Sequence, residues 1–282
     1  MVEDRVRYVD VLRNRNFSFL WIGQIISNFG DRFTYMANIA LIVFNWGGSA
    51  MDTGGIFIAM SLPALAFGPI SGVFVDRYNK KHVMIICDVM RAAIVPLLIF
   101  ADSLFQVYLI VFLISSISRF FYPARSAMIP TLVKKEQLLV ANSLSHSTYE
   151  FSAIAGYAIG GMLVGFLGAH AVFLIDSVSY LISAAFIALI AFRPILKTAV
   201  KTGNVLGRVV EEFKAGLDYS CRERKVLFLL SLLGVAVLAF AGINILWVIL
   251  IRDVMGLGVE GMGVLNLCSE GACSLVPLLS VS

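Results

Sequence analysis

The chain has 282 residues, of which 59% are hydrophobic and 14% charged, with a formal net charge of +4. A water-soluble protein of this length needs more polar surface, and the small basic excess sits in loops, so it is no footprint for nucleic acid. The apolar runs are continuous rather than alternating, which argues against a β-barrel and for an all-α polytopic protein in a lipid bilayer.

Four arginines, Arg5, Arg7, Arg13 and Arg15, precede the first apolar run at Phe17. That run is too long for a signal peptide and lacks a small-residue cleavage site, so it reads as a span. Spans are predicted at Phe17–Trp46, Gly54–Val75, Val83–Phe100, Gln106–Tyr122, Ser145–Leu167, Ala169–Phe192 and Val226–Ile251, with an eighth beginning near Gly261. These runs approach or exceed the ~20 residues a helix needs to cross a ~30 Å hydrocarbon core. Basic residues then alternate between loops. Arg77, Lys80 and Lys81 follow span two, and Arg125, Lys134 and Lys135 follow span four. Gly47–Thr53, Ala101–Leu104 and Gly168–His170 carry no Lys or Arg. By the positive-inside rule the N-terminus is cytoplasmic in a cell membrane.

Residues 193–225 form the one long polar connection, with eight Lys and Arg. Val209, Val210, Phe213, Leu217 and Tyr219 recur at roughly helical spacing there, which predicts an amphipathic helix along the membrane. Span one exits through "IALIVFNWGGSAMDTGGIFIAM" and span seven through "ILWVILIRDVMGLGVEGMGVLN". Both have an aliphatic run, a short glycine-containing loop with an acid, then a glycine-rich helix start. The expected organisation is a six-helix half over 1–192, a linker over 193–225, and the start of a second, parallel half over 226–282.

Ionisable groups inside the hydrocarbon are costly and need partners or water. Asp31 and Arg32 lie within span one, and their side chains point about 100° apart, so each is expected to meet a different helix. Asp31, Arg32, Glu150 and Arg119, the last closing span four, are candidates for coupling or substrate binding. Asp88 and Arg91, spaced i, i+3 in span three, are candidate interhelical ion-pair residues; Asp176 lies in span six. Gly156 with Gly160, and Gly161 with Gly165, form two small-xxx-small pairs suited to close helix packing. The cysteines Cys87, Cys221, Cys268 and Cys273 have no metal-ligand spacing. With no Walker A pattern, nucleophile elbow or His/Cys cluster, neither an enzyme nor a cofactor is expected.

The run "GVFVDRYNKKHVM" between spans two and three resembles the signature loop of the major facilitator superfamily, through Gly72, Asp76, Arg77, Lys80 and Lys81. Asn79 stands where the family usually has Gly, and is expected to take the same left-handed turn. "NFSFLWIGQIISNFGDRFTYMANIAL" and "FYPARSAMIPTLVKKEQLLVANSL" resemble the macrolide-efflux exporter branch; Gly156-Tyr157 departs from the usual Gly-Pro of antiporters. The resemblance implies a monomeric, proton-coupled exporter that works by alternating access. Its small drug-like substrate would lie among aromatic and apolar side chains, and the signature loop would gate the cytoplasmic side. It also implies about twelve spans. Glu270 breaks the eighth apolar run, which suggests a chain truncated there by a frame disruption near Ser269. The competing class is a non-transporting membrane remnant or assembly partner.

Overall fold

The computed structural model describes residues 7–191, 218–219, 222–259, 261–263 and 265. The expected linker helix and the tail around Glu270 lie outside the described residues, apart from Tyr219, which is helical. The described chain contains helices and no strands. A short α1 (Tyr8–Leu12) leads into α2 (Arg15–Ile39), α3 (Ala50–Arg77), α4 (Lys80–Ile94), α5 (Leu104–Leu132), α6 (Leu138–Leu167), α7 (Ala169–Ala188) and α8 (Arg224–Ile249). Among the described residues, five segments are long and apolar enough to cross a membrane: Ala50–Gly68, Lys80–Phe100, Leu104–Leu132, Lys135–Leu167 and Ala169–Ala188. Helix α2 is absent from these five; it carries Asp31 and Arg32 and the polar Gln24, Ser27, Asn28, Thr34 and Asn38, and those last five are buried.

The helices pack in the spatial order α6, α2, α7, α4, α5, α3. Along them the interior forms three layers. One apolar cluster gathers Phe17, Leu20, Met84, Phe121 and Met128. The other gathers Met36, Ile39, Val95, Val107, Phe173 and Ile251. Between the two lie polar residues: Asp31 on α2, Asp88 and Arg91 on α4, and Arg119 on α5; Asp176 on α7 lies between Phe173 and Tyr180 of the second cluster. The apolar ends bury their surface at ~25 cal/mol per Å², and their packing encloses the polar middle.

One end of the bundle is tied by side chains. Asn14 caps α2 by accepting from the backbone N–H groups of Asn16 (3.1 Å) and Phe17 (3.3 Å), and donates to the Leu132 carbonyl at the end of α5. Asn16 exchanges two hydrogen bonds with Ala191 just after α7.

Helix α5 corrects the predicted end of span four. It runs through Pro123 and Pro130 to Leu132 rather than stopping at Tyr122. A proline removes one helical donor, which neighbouring helices compensate in a membrane bundle. Arg119 therefore sits inside the helix instead of closing it.

The exits of α2 and α8 are built alike. Each unwinds into a π turn, Ala40–Asn45 and Leu250–Val254. Trp46 N–H bonds the Leu41 carbonyl at 3.1 Å, and Met255 N–H bonds that of Leu250 at 3.0 Å. Each turn ends in a left-handed glycine, Gly47 (φ 65°) and Gly256 (φ 63°), a conformation that costs glycine little. Arg252 donates to the carbonyl of Val43, 209 residues away, its own counterpart in this correspondence, and to that of Gly48 (3.1 and 2.7 Å).

Gly156 and Gly160 seat α6 on α2. A Cβ at Gly156 would lie 2.9 Å from Arg32 Cβ, and one at Gly160 would lie 3.2 Å from Phe33 Cα. Gly161 instead faces the helix that begins at Val259, where a Cβ would lie 2.8 Å from the Val259 carbonyl oxygen and 2.9 Å from Gly263 Cα. Gly165 is exposed. Because Gly161 meets backbone that cannot yield, Gly161→Val should cost about 1–3 kcal/mol by overpacking. Thermal melts of the purified protein measure this, and an unchanged midpoint would place that helix elsewhere.

Candidate functional site

A cavity of about 530 Å³ opens in the polar layer, walled by α2, α3, α5, α6 and α7. The contribution of α5 follows helical spacing: Val111, Ile114, Ser115, Ser118, Arg119, Tyr122, Arg125, Ser126 and Ile129 all line it. Asp31 and Arg32 line it from α2 and Tyr149 from α6. The lining mixes apolar side chains, Met60, Val111, Ile114 and Ile129, with polar ones. Aromatic rings are present, but they are tyrosines with hydroxyls, among serines and asparagines.

Asp31 and Arg32 meet different helices. The Tyr180 hydroxyl of α7 donates to the Asp31 carboxylate. Arg32 donates to the Tyr157 hydroxyl of α6 at 3.0 Å, and its guanidinium lies 4.9 Å from the ring centroid of Tyr149 and 5.3 Å from that of Tyr157. Tyr157, the residue that departs from the antiporter pattern, thus holds Arg32. Arg119 donates to the Met60 carbonyl at 3.5 Å, and Arg125 to Gln24 Oε1 at 3.3 Å. Sequence reasoning missed Arg125 as a cavity residue. Carrying the helical period of span four past Pro123 would have found it. Glu150 lies away from the cavity. Its side chain is half exposed and sits 3.5 Å from His146, so that pair is ionic only when the histidine is protonated.

Asp88 and Arg91 pair with each other within α4, rather than across helices as expected. The interhelical contact comes from the rings that enclose the Arg91 guanidinium, Tyr180 at 4.3 Å and Phe121 at 4.5 Å. Both charged side chains are buried. Asp176, fully buried, accepts from Thr34 at 2.6 Å and Ser179 at 3.1 Å, which seals α2 against α7. Gly30 makes room for it, since a Cβ there would collide with Asp176 and Ser179.

The signature loop lies at the end of α3 and the start of α4. Asp76 and Arg77 are exposed, and a Cβ on Gly72 would meet no atom within 4 Å among the described residues. Asn79 corrects the left-handed turn expected of it. Its φ is −66°, and its side chain caps α4 by accepting from Lys81 N–H at 3.0 Å. Lys80 is half-buried. Lys81 Nζ donates to the carbonyls of Ala188 (2.7 Å) and Ile190 (2.8 Å) at the end of α7. A cation there satisfies orphan carbonyls and the negative end of the helix dipole.

The sequence profile described as Major Facilitator Superfamily matches residues 20–281. The chain belongs to the major facilitator superfamily. Among relatives, it is 28% identical to the uncharacterized MFS-type transporter YfiS of Bacillus subtilis, over 78% of this chain and 52% of that protein. It is 29% identical to macrolide efflux protein A of Streptococcus pyogenes, over 77% and 54%. It is 30% identical to the putative bacilysin exporter BacE of Bacillus subtilis, over 72% and 50%. The chain spans about half the length of the curated relatives it matches. Family and helices together make it a multi-pass membrane protein of this superfamily.

The Asp88–Arg91 pair yields a stability test. Asp88→Asn leaves a buried guanidinium without its anion and should destabilise by about 3–5 kcal/mol. The double variant Asp88→Asn/Arg91→Met should lose less than the single one, measured by denaturation in detergent. Equal losses would mean that the charge of Arg91 is neutralised elsewhere.

Proposed function

We propose that this protein is a proton-coupled exporter of a drug-like small molecule, working by alternating access. The observation that carries the reading is the cavity of about 530 Å³ at membrane depth, walled by five helices and lined by both charged and apolar side chains. Membership of the superfamily supports a transporter, and similarity to proteins named macrolide efflux protein and bacilysin exporter supports export. The substrate binds in the cavity while two halves rock about it. The first half is 1–192, 193–225 links it onward, and 226–282 begins the second. The matching π-turn exits of α2 and α8 support that parallel duplication.

Asp31 is the coupling acid in this reading. It lines the cavity and accepts a hydrogen bond from Tyr180 of the neighbouring α7, which supports that role. The alternation of basic loops supports a cytoplasmic N-terminus in the cell membrane. It places Gly72, Asp76, Arg77, Lys80 and Lys81 on the same side, where the exposed Asp76 and Arg77 latch against the second half. The unit is a monomer.

Inverted membrane vesicles carrying the protein should accumulate at least one member of a panel of neutral, cationic and anionic drug-like molecules when an inward-acid gradient is imposed. A protonophore should abolish the accumulation, and Asp31→Asn should remove the gradient-driven part while leaving exchange. Transport that ignores the gradient would rule out proton coupling.

A further inference from the structure

We propose that the cavity recognises an anionic head group, specifically a carboxylate carried on an aromatic or apolar body. This deepens the transport reading, and rests on it only for what happens to the ligand after it binds.

Three guanidinium groups line the one cavity, those of Arg32, Arg119 and Arg125. Among the described residues none of the three has a carboxylate within ion-pair distance; the ion pairs are Arg91–Asp88, His146–Glu150, Arg222–Asp218 and Arg252–Asp253. Arg91 shows how this fold neutralises a buried guanidinium, with an acid one turn away and a ring on each of two neighbouring helices. The cavity arginines are treated differently. Their hydrogen-bond partners are neutral oxygens, those of Tyr157, Met60 and Gln24; the Nε of each is buried without a hydrogen-bond partner, as is that of Arg91. Asp31, the one acid of the lining, is engaged by Tyr180. Three guanidinium groups against one carboxylate leave at least two positive charges in excess.

Uncompensated cations at membrane depth are costly, so their charge needs an external anion or trapped water. A guanidinium fork matches a carboxylate with two parallel hydrogen bonds, which a hydroxyl or amide ligand cannot reproduce. The same excess charge repels cationic ligands. The rest of the wall suits an apolar body, with Tyr35, Tyr122, Met60 and Ile114 beside the arginines. The ligand class that satisfies both parts is an amphipathic acid.

The test uses the purified protein in phosphatidylcholine nanodiscs and calorimetric binding of 4-phenylbutyrate, its amide, and 4-phenylbutylamine. The acid should bind at least about tenfold more tightly than the amide, and the amine should not bind, as charge-assisted hydrogen bonds are stronger than neutral ones. Arg119→Gln and Arg125→Gln should each weaken acid binding by roughly tenfold and leave the amide unchanged. Arg125→Lys, which keeps the charge, should retain the preference for acid. Equal affinity for acid and amide, or a preference for the amine, overturns the proposal in the wild-type protein alone. Inorganic phosphate that binds as well as the acid, or phosphatidylglycerol that displaces it from the disc, assigns the site to a free ion or a lipid head group and also overturns it. Export of neutral drugs with no acid preference sinks this inference and leaves the transport reading intact. Acid-selective binding without export does the reverse.

Discussion

The enclosure of Arg91 is the constraint on which the middle of the bundle depends. A guanidinium with no access to water needs its charge compensated, and here the compensating groups come from three helices: Asp88 on its own α4, Phe121 on α5, and Tyr180 on α7. Tyr180 then reaches Asp31 on α2 with its hydroxyl. One buried cation therefore sets the spacing of four helices and, through Tyr180, the position of the acid in the cavity wall. The Asp176 bonds to Thr34 and Ser179 reinforce the same α2–α7 seam. Such groups are expensive in a low-dielectric interior unless their geometry is satisfied. Arg32, Arg119 and Arg125 are held differently, by hydrogen bonds to neutral oxygens.

Much of the architecture was legible in the residues. Long apolar runs and alternating basic loops mark the spans because the bilayer imposes both. Helix α5 was less legible. Pro123 and Pro130 are breakers in water, and their tolerance inside a membrane bundle hides ten further residues of helix and the cavity role of Arg125. Asp88 and Arg91 carry the i, i+3 spacing of an internal pair, but the rings that enclose Arg91 come from distant positions that no local pattern reveals. Glu150 reads like Asp31 in sequence, as a charge at a span. Which face of α6 it occupies is set by the packing of Gly156 and Gly160 on α2, a tertiary fact.

The two π-turn exits show a different kind of hidden information. "NWGG" and "VMGLG" share little as text, yet both carry one glycine where the chain must turn left-handed. The rest of each segment is free to drift, since the turn is held by backbone hydrogen bonds rather than by side chains. Arg252 stands where the α2 exit has Val43, and it donates to the carbonyls of that exit, those of Val43 and Gly48.

The two bonds of Lys81 to Ala188 and Ile190 join the start of α4 to the end of α7. A single ammonium there acts as a rivet, with three donors and two bonds of ordinary length on adjoining carbonyls. The α7 exit is also stapled to the foot of α2 through Asn16 and Ala191. Through these bonds the end of α7 is fastened to the feet of both α2 and α4, so the three helices that hold Asp31, Arg91 and Tyr180 share one anchored end, like legs bolted to a common base.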